Sequence, residues 1–133
     1  MREFLNRKQY VIVRGLLTEA ERVLVVRDRA QASLEYYELP GGYVEFGRDP
    51  AEALVDLFFE QTRIPVAVEA PFRTTSRMSS RDDSQTIEIV YRVRQQNSGL
   101  DVASPATMIW IEINDAGYFL SSRIAETVRA GLE

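Results

Sequence analysis

Tyr36-Tyr37-Glu38-Leu39-Pro40-Gly41-Gly42-Tyr43-Val44-Glu45-Phe46-Gly47, followed after Arg48 by Asp49-Pro50-Ala51-Glu52-Ala53-Leu54, is the stretch whose reading decides the fold. Pro40-Gly41-Gly42 closes a short extended piece, because proline lacks a ladder donor and glycine opens backbone angles closed to other residues. Gly42 to Gly47 reads as a loop. Asp49 then suits a helix N-cap, Pro50 the first helical position, and Glu52 the third residue of a capping box. Ala53, Leu54, Leu57, Phe58 and Gln61 recur at helical spacing, and the helix is expected to stop before Pro65.

Outward from this centre, the chain alternates strands and helices. Tyr10 to Leu17 and Val23 to Arg29 are rich in β-branched residues and read as an antiparallel hairpin around a polar turn, Thr18 to Glu21. Ala30 to Ser33 is a loop. Val66 to Ala70 looks extended, and the polar run Thr74 to Ser84 (TTSRMSSRDDS) reads as a mobile loop. Thr86 to Arg94 is the clearest alternating strand, with Ile87, Ile89, Tyr91 and Val93 on one face. Gln95 to Pro105 is a connector, Thr107 to Ile113 a strand, and Asn114 to Gly117 a turn. Ser122 to Leu132 is a helix with Ile124, Val128 and Leu132 on its apolar stripe. With no repeat or linker in view, residues 1–133 are expected to form one α/β or α+β domain.

Composition narrows the chemistry. The chain has 133 residues and a formal net charge of −4, with no cysteine and no histidine. Thiolate chemistry and disulfides are excluded, a reducing cytoplasm is the expected location, and any metal site must be built from oxygen, which favours Mg²⁺, Mn²⁺ or Ca²⁺. The acidic balance argues against a nucleic-acid footprint, and no apolar run is long enough to span a bilayer. All basic residues but Lys8 are arginine, which supplies forked donors suited to phosphate.

The Leu39-Pro40-Gly41-Gly42 segment, the loop ending in Gly47 and the helix from Pro50 resemble the Nudix hydrolase family. The order of the remaining elements, from about Lys8 to Leu132, fits the same family. The resemblance implies an α/β/α sandwich with a mixed central sheet. It also implies a pyrophosphohydrolase using Mg²⁺ or Mn²⁺, held by glutamates of the Nudix box: Gly-x5-Glu-x7-Arg-Glu-apolar-x-Glu-Glu-x-Gly-apolar. Counted from Gly42, the first Glu position holds Arg48, the Arg position Asp56, and the next Glu position Leu57. Phe58, Glu60 and Ile64 match, while Gln61 and Arg63 replace Glu and Gly.

Mg²⁺ takes oxygen ligands in near-octahedral geometry, and its protein share usually includes one or two carboxylates. Glu60 is the one recognisable ligand, and the expected catalytic group if the chain is active. Glu45 and Asp56 are the further metal candidates. Glu52, Asp56 and Glu60, spaced four apart, form either a displaced acidic stripe for metal or a solvated face. Arg48, Arg63, Arg73 and Arg77, with Glu45 and the neighbouring Arg81, are candidate substrate contacts. Leu57 and Phe59 read either as an interface, with a homodimer as partner state, or as a locally buried helix face. Two functions follow. One is a binding or interaction module for a nucleotide-like ligand with weak or no hydrolysis. The other is an active hydrolase of a nucleoside diphosphate linked to another group, with carboxylates drawn from a non-standard set.

Overall fold

A computed structural model describes residues 7–27, 37–96, 108–116, 120 and 122–131. The elements run β1 (Lys8–Leu16), β2 (Thr18–Glu19), β3 (Arg22–Arg27), β4 (Tyr37–Glu38), β5 (Gly41–Tyr43), α1 (Pro50–Thr62), β6 (Val66–Ser79), β7 (Ser84–Gln95), β8 (Met108–Glu112) and α2 (Ser122–Gly131). Tyr36, the Ala30 to Ser33 loop, most of the Gln95 to Pro105 connector and Leu132 lie outside the described residues.

The strands form two sheets. One is mixed, in the order β5-β1-β7-β6, with β1 parallel to β7 and antiparallel to β5. The other is antiparallel, with β3 between β2, β4 and β8. The expected hairpin between Tyr10–Leu17 and Val23–Arg29 is corrected here. β1 ends at Leu16, the chain passes into the second sheet, and the tight hairpin is β2–β3. Its turn residues Ala20 and Glu21 both have positive φ, 51° and 63°, the geometry that matches strand twist. Neither is Gly, Asn or Asp, so the usual turn signal is missing from the sequence.

Side chains alternate across both sheets into two apolar layers. Val23, Val25, Val90 and Ile111 point to one side, where Ala125 and Val128 of α2 join them. Val13, Leu24 and Val93 point to the other, where Leu54 and Phe58 of α1 join them. This is the expected α/β/α sandwich. Gly15 makes room for α1: a Cβ there would lie 2.9 Å from the Phe58 ring, which is fully buried.

Thr74 to Ser79, expected to be loop, continues β6 in register with β7 as far as Ser79↔Ser84; only Ser80 to Asp83 turns. The threonines and the aligned partners on β7 outweigh the polar composition, because strand preference depends on cross-strand packing.

The helix signals read as expected. Asp49 Oδ2 accepts from the Glu52 amide at 3.1 Å, and Pro50 opens α1. At the other end Arg63 takes a left-handed conformation, φ 64° and ψ 14°, with its amide donating to Phe59 O at 2.7 Å. Glycine adopts that conformation without a Cβ penalty. Arg63→Gly is therefore expected to gain up to about 1 kcal/mol, raising Tm by ~3 °C in a thermal melt. Unchanged or lowered Tm would show that the Arg63 contact with the Phe59 ring, 5.9 Å from its centroid, outweighs the backbone strain.

Candidate functional site

The loop-to-helix segment returns α1 onto the first sheet, in contact with β1, β5 and β6. Gly41 has φ 149°, and a Cβ there would collide with the Val13 carbonyl of β1, so only glycine lets the two strands close. On β5, Gly42 and the amide of Val44 face β1, leaving the Gly41 backbone groups directed outward. Gln61 meets them. Its Oε1 accepts from the Gly41 amide at 3.0 Å and its Nε2 donates to the Gly41 carbonyl at 2.7 Å. The primary amide thus imitates the peptide of a neighbouring strand. It satisfies both polar groups of a buried residue and caps the sheet edge.

One turn earlier, Leu57 is half buried in the apolar layer beneath Gly42. Asp56 is exposed and pairs with Arg48, Nη2 to Oδ2 at 2.7 Å. That hydrogen bond, with the fields of Glu45 and Glu52, holds the Arg48 guanidinium charged beyond its ordinary range. Glu60 is exposed and has no hydrogen bond or ion pair among the described residues. Glu45 is exposed on the loop. Among the described residues no three acidic side chains gather closely enough to hold a cation.

The arginines expected around a phosphate fall in separate places. Arg48 precedes α1 and Arg63 follows it, with thirteen residues of helix between them, roughly 20 Å of rise. Arg73 and Arg77 are in register with Val90 and Thr86, on the sheet face turned from α1. Arg73 approaches Glu126 of α2 at 3.8 Å, and Arg81 is exposed in the β6–β7 turn.

A second polar group went unnoticed in the sequence. Arg14, on the α2 face of β1, donates from Nη1 to the Leu39 carbonyl at 3.0 Å. It lies 3.2 Å from Glu38 and 3.7 Å from Glu88, whose side chain is 6% exposed. A cavity of about 10 Å³ adjoins Arg14 and Glu88, closed by Ile124 and Thr127 of α2. The available signal was Arg14 itself, a charge within the apolar run Tyr10 to Leu17.

No family model matches the chain's sequence, and no curated protein does. Solved structures do match. The E. coli ORF135 protein superposes with a TM-score of 0.76 over 95% of this chain and 90% of its own, at 19% identity. A Nudix hydrolase from Nitrosomonas europaea gives 0.78 at 12% identity, covering 94% of this chain and 89% of that one. The chain has the Nudix fold. The C. elegans Ap4A hydrolase gives 0.69 at 14%, covering 95% and 96%. Leu57, Glu60 and Gln61 all lie on α1. Among the described residues no helix is long and apolar enough to cross a membrane.

Proposed function

We propose that this chain uses the Nudix fold as a binding module for a nucleotide-like ligand, without the metal-centred hydrolysis of the box. The observation that carries this reading is the Gln61 clasp on Gly41. A glutamate at this position has no hydrogen to give the Gly41 carbonyl, and a cation between the two oxygens would relieve their repulsion. The amide supplies that hydrogen itself. Leu57 offers no ligand, and Arg48 occupies Asp56, so the donor set does not fit Mg²⁺ or Mn²⁺.

The fold neighbours support this choice of ligand class: they include an Ap4A hydrolase and a UDP-X diphosphatase. The competing reading, a working hydrolase, is favoured by one feature: Glu60 remains exposed and uncommitted.

Calorimetric titration with Mg²⁺ and Mn²⁺ is expected to show no binding tighter than millimolar. Thermal melts in EDTA with dinucleoside polyphosphates, nucleotide sugars and ADP-ribose are expected to show stabilisation by at least one of them. A hydrolysis screen over the same compounds is expected to show no metal-dependent turnover. Turnover that needs metal and disappears in Glu60→Gln would establish the hydrolase instead.

A further inference from the structure

The loop entering α1 and the strands β1 and β5 beside it display apolar side chains that the clasp does not use. Tyr10, Tyr43 and Phe46 are exposed, Phe46 completely. Tyr10 and Tyr43 meet edge to face, with centroids 5.8 Å apart. These three, with Val44, border an open concavity of about 710 Å³. The loop is held in place. The Val44 amide donates to the Val11 carbonyl at 2.8 Å and the Arg48 amide to the Glu45 carbonyl at 3.1 Å, while Gly47 turns the chain at φ 88°. Single exposed apolar residues are ordinary, but a contiguous group of aromatic ones on a fixed turn marks a contact site.

We propose that this face binds a second copy of the chain through a two-fold contact, with Phe46 of each copy filling the concavity of the other. A two-fold interface must be self-complementary. Here the projecting ring and the hollow lie side by side on one patch, so exchanging them satisfies both copies at once. Charge is complementary in the same sense. Glu45 and Arg48 flank Phe46 with opposite signs, so the two-fold operation can set each against its counterpart on the other copy. Arg48 engages Asp56 through Nη2 and keeps further donors.

Two other occupants fit less well. Edge-to-edge strand pairing is obstructed because Gln61 already takes the outward groups of Gly41. A small ligand needs an enclosing pocket, whereas this hollow is open and most of its wall is apolar. The contact stands whether or not the cleft turns over substrate.

Light scattering of the full chain across the micromolar range is expected to show twice the mass of one chain. Phe46→Arg is expected to raise the dissociation constant about thirtyfold or more, with a thermal melt unchanged at concentrations where wild type is also monomeric, since the ring projects into solvent. Because the chain has no cysteine, Phe46→Cys gives a unique labelling position. A nitroxide there, on copies mixed with isotope-labelled wild type, is expected to broaden the amides of Tyr10 and Tyr43. A wild type that stays monomeric overturns the proposal. So does a dimer that survives Phe46→Arg, or broadening confined to another face. Tyr10 and Tyr43 resonances of a monomer that shift with adenosine would assign the hollow to a small aromatic ligand.

Discussion

Replacing Arg14 by methionine is expected to lower the unfolding free energy by about 3–5 kcal/mol, the usual cost of breaking a buried ion pair by removing one partner. The guanidinium serves three groups at once: the Leu39 carbonyl, Glu38 and Glu88. Methionine keeps much of the stem volume but returns none of those bonds. Glu88 is left as a carboxylate in a nearly dry site, and the Leu39 carbonyl loses a donor just before the Pro40-Gly41-Gly42 bend. The double variant Arg14→Met with Glu88→Met separates charge from packing. Removing both charges should restore most of the loss, because desolvation had offset much of the pair's attraction. Urea unfolding measures both, with the midpoint moving and the slope unchanged. Equal losses in the single and double variants would place the effect in packing rather than in the loss of the arginine from Glu88.

Leu57→Glu combined with Gln61→Glu is expected to make the fold depend on a cation. In EDTA the Gly41 carbonyl loses its side-chain donor, costing about 1–3 kcal/mol, and the apolar layer under Gly42 loses Leu57. Glu60 stands between the two new carboxylates in sequence, so three acids then share the last turns of α1. Mn²⁺ at roughly a hundred times its dissociation constant should return about 2.7 kcal/mol by mass action. Thermal melts with and without Mn²⁺ read this directly, as a depressed Tm in EDTA that rises with metal. A double variant as stable as wild type in EDTA would show that the Gln61 clasp contributes little. One indifferent to Mn²⁺ would show that the helix does not aim these positions at a common point.

The elements that were legible in the sequence are those specified locally. Asp49-Pro50 fixed the start of α1 through capping and a preset φ, and Pro40-Gly41-Gly42 marked a bend that only glycine at Gly41 can make. The alternation in Thr86 to Arg94 identified β7 and its α1 face. What escaped was set by distant pairing. Glu88 lies on the opposite face from Ile87 and Ile89. It is buried because α2 covers that side too. Thr74 to Ser79 looked like loop because its composition is polar, and its partners on β7 could not be seen locally. The loss of a carboxylate at Gln61 was visible by laying the segment on the Nudix box that it resembles. Its replacement by an amide bonded to Gly41 was not, since only the finished fold brings residues twenty apart into contact.

The parallel pairing of β1 with β7 also bears on the order in which the molecule assembles. Gln9 and Gln85 hydrogen-bond across 76 residues of chain, and a parallel pair cannot close through a tight turn. During synthesis the β7 edge of β1 must therefore wait, unpaired, until the chain from Ser84 onward has been made. Local units such as α1, and the β6–β7 hairpin with its four-residue turn, can form before that closure. Closure of β1 onto β7 then follows and completes the order β5-β1-β7-β6. Chains halted before Ser84 will expose the valine-rich strand to any neighbour with a free edge, which makes the stalled polypeptide, more than the folded one, the form prone to aggregate.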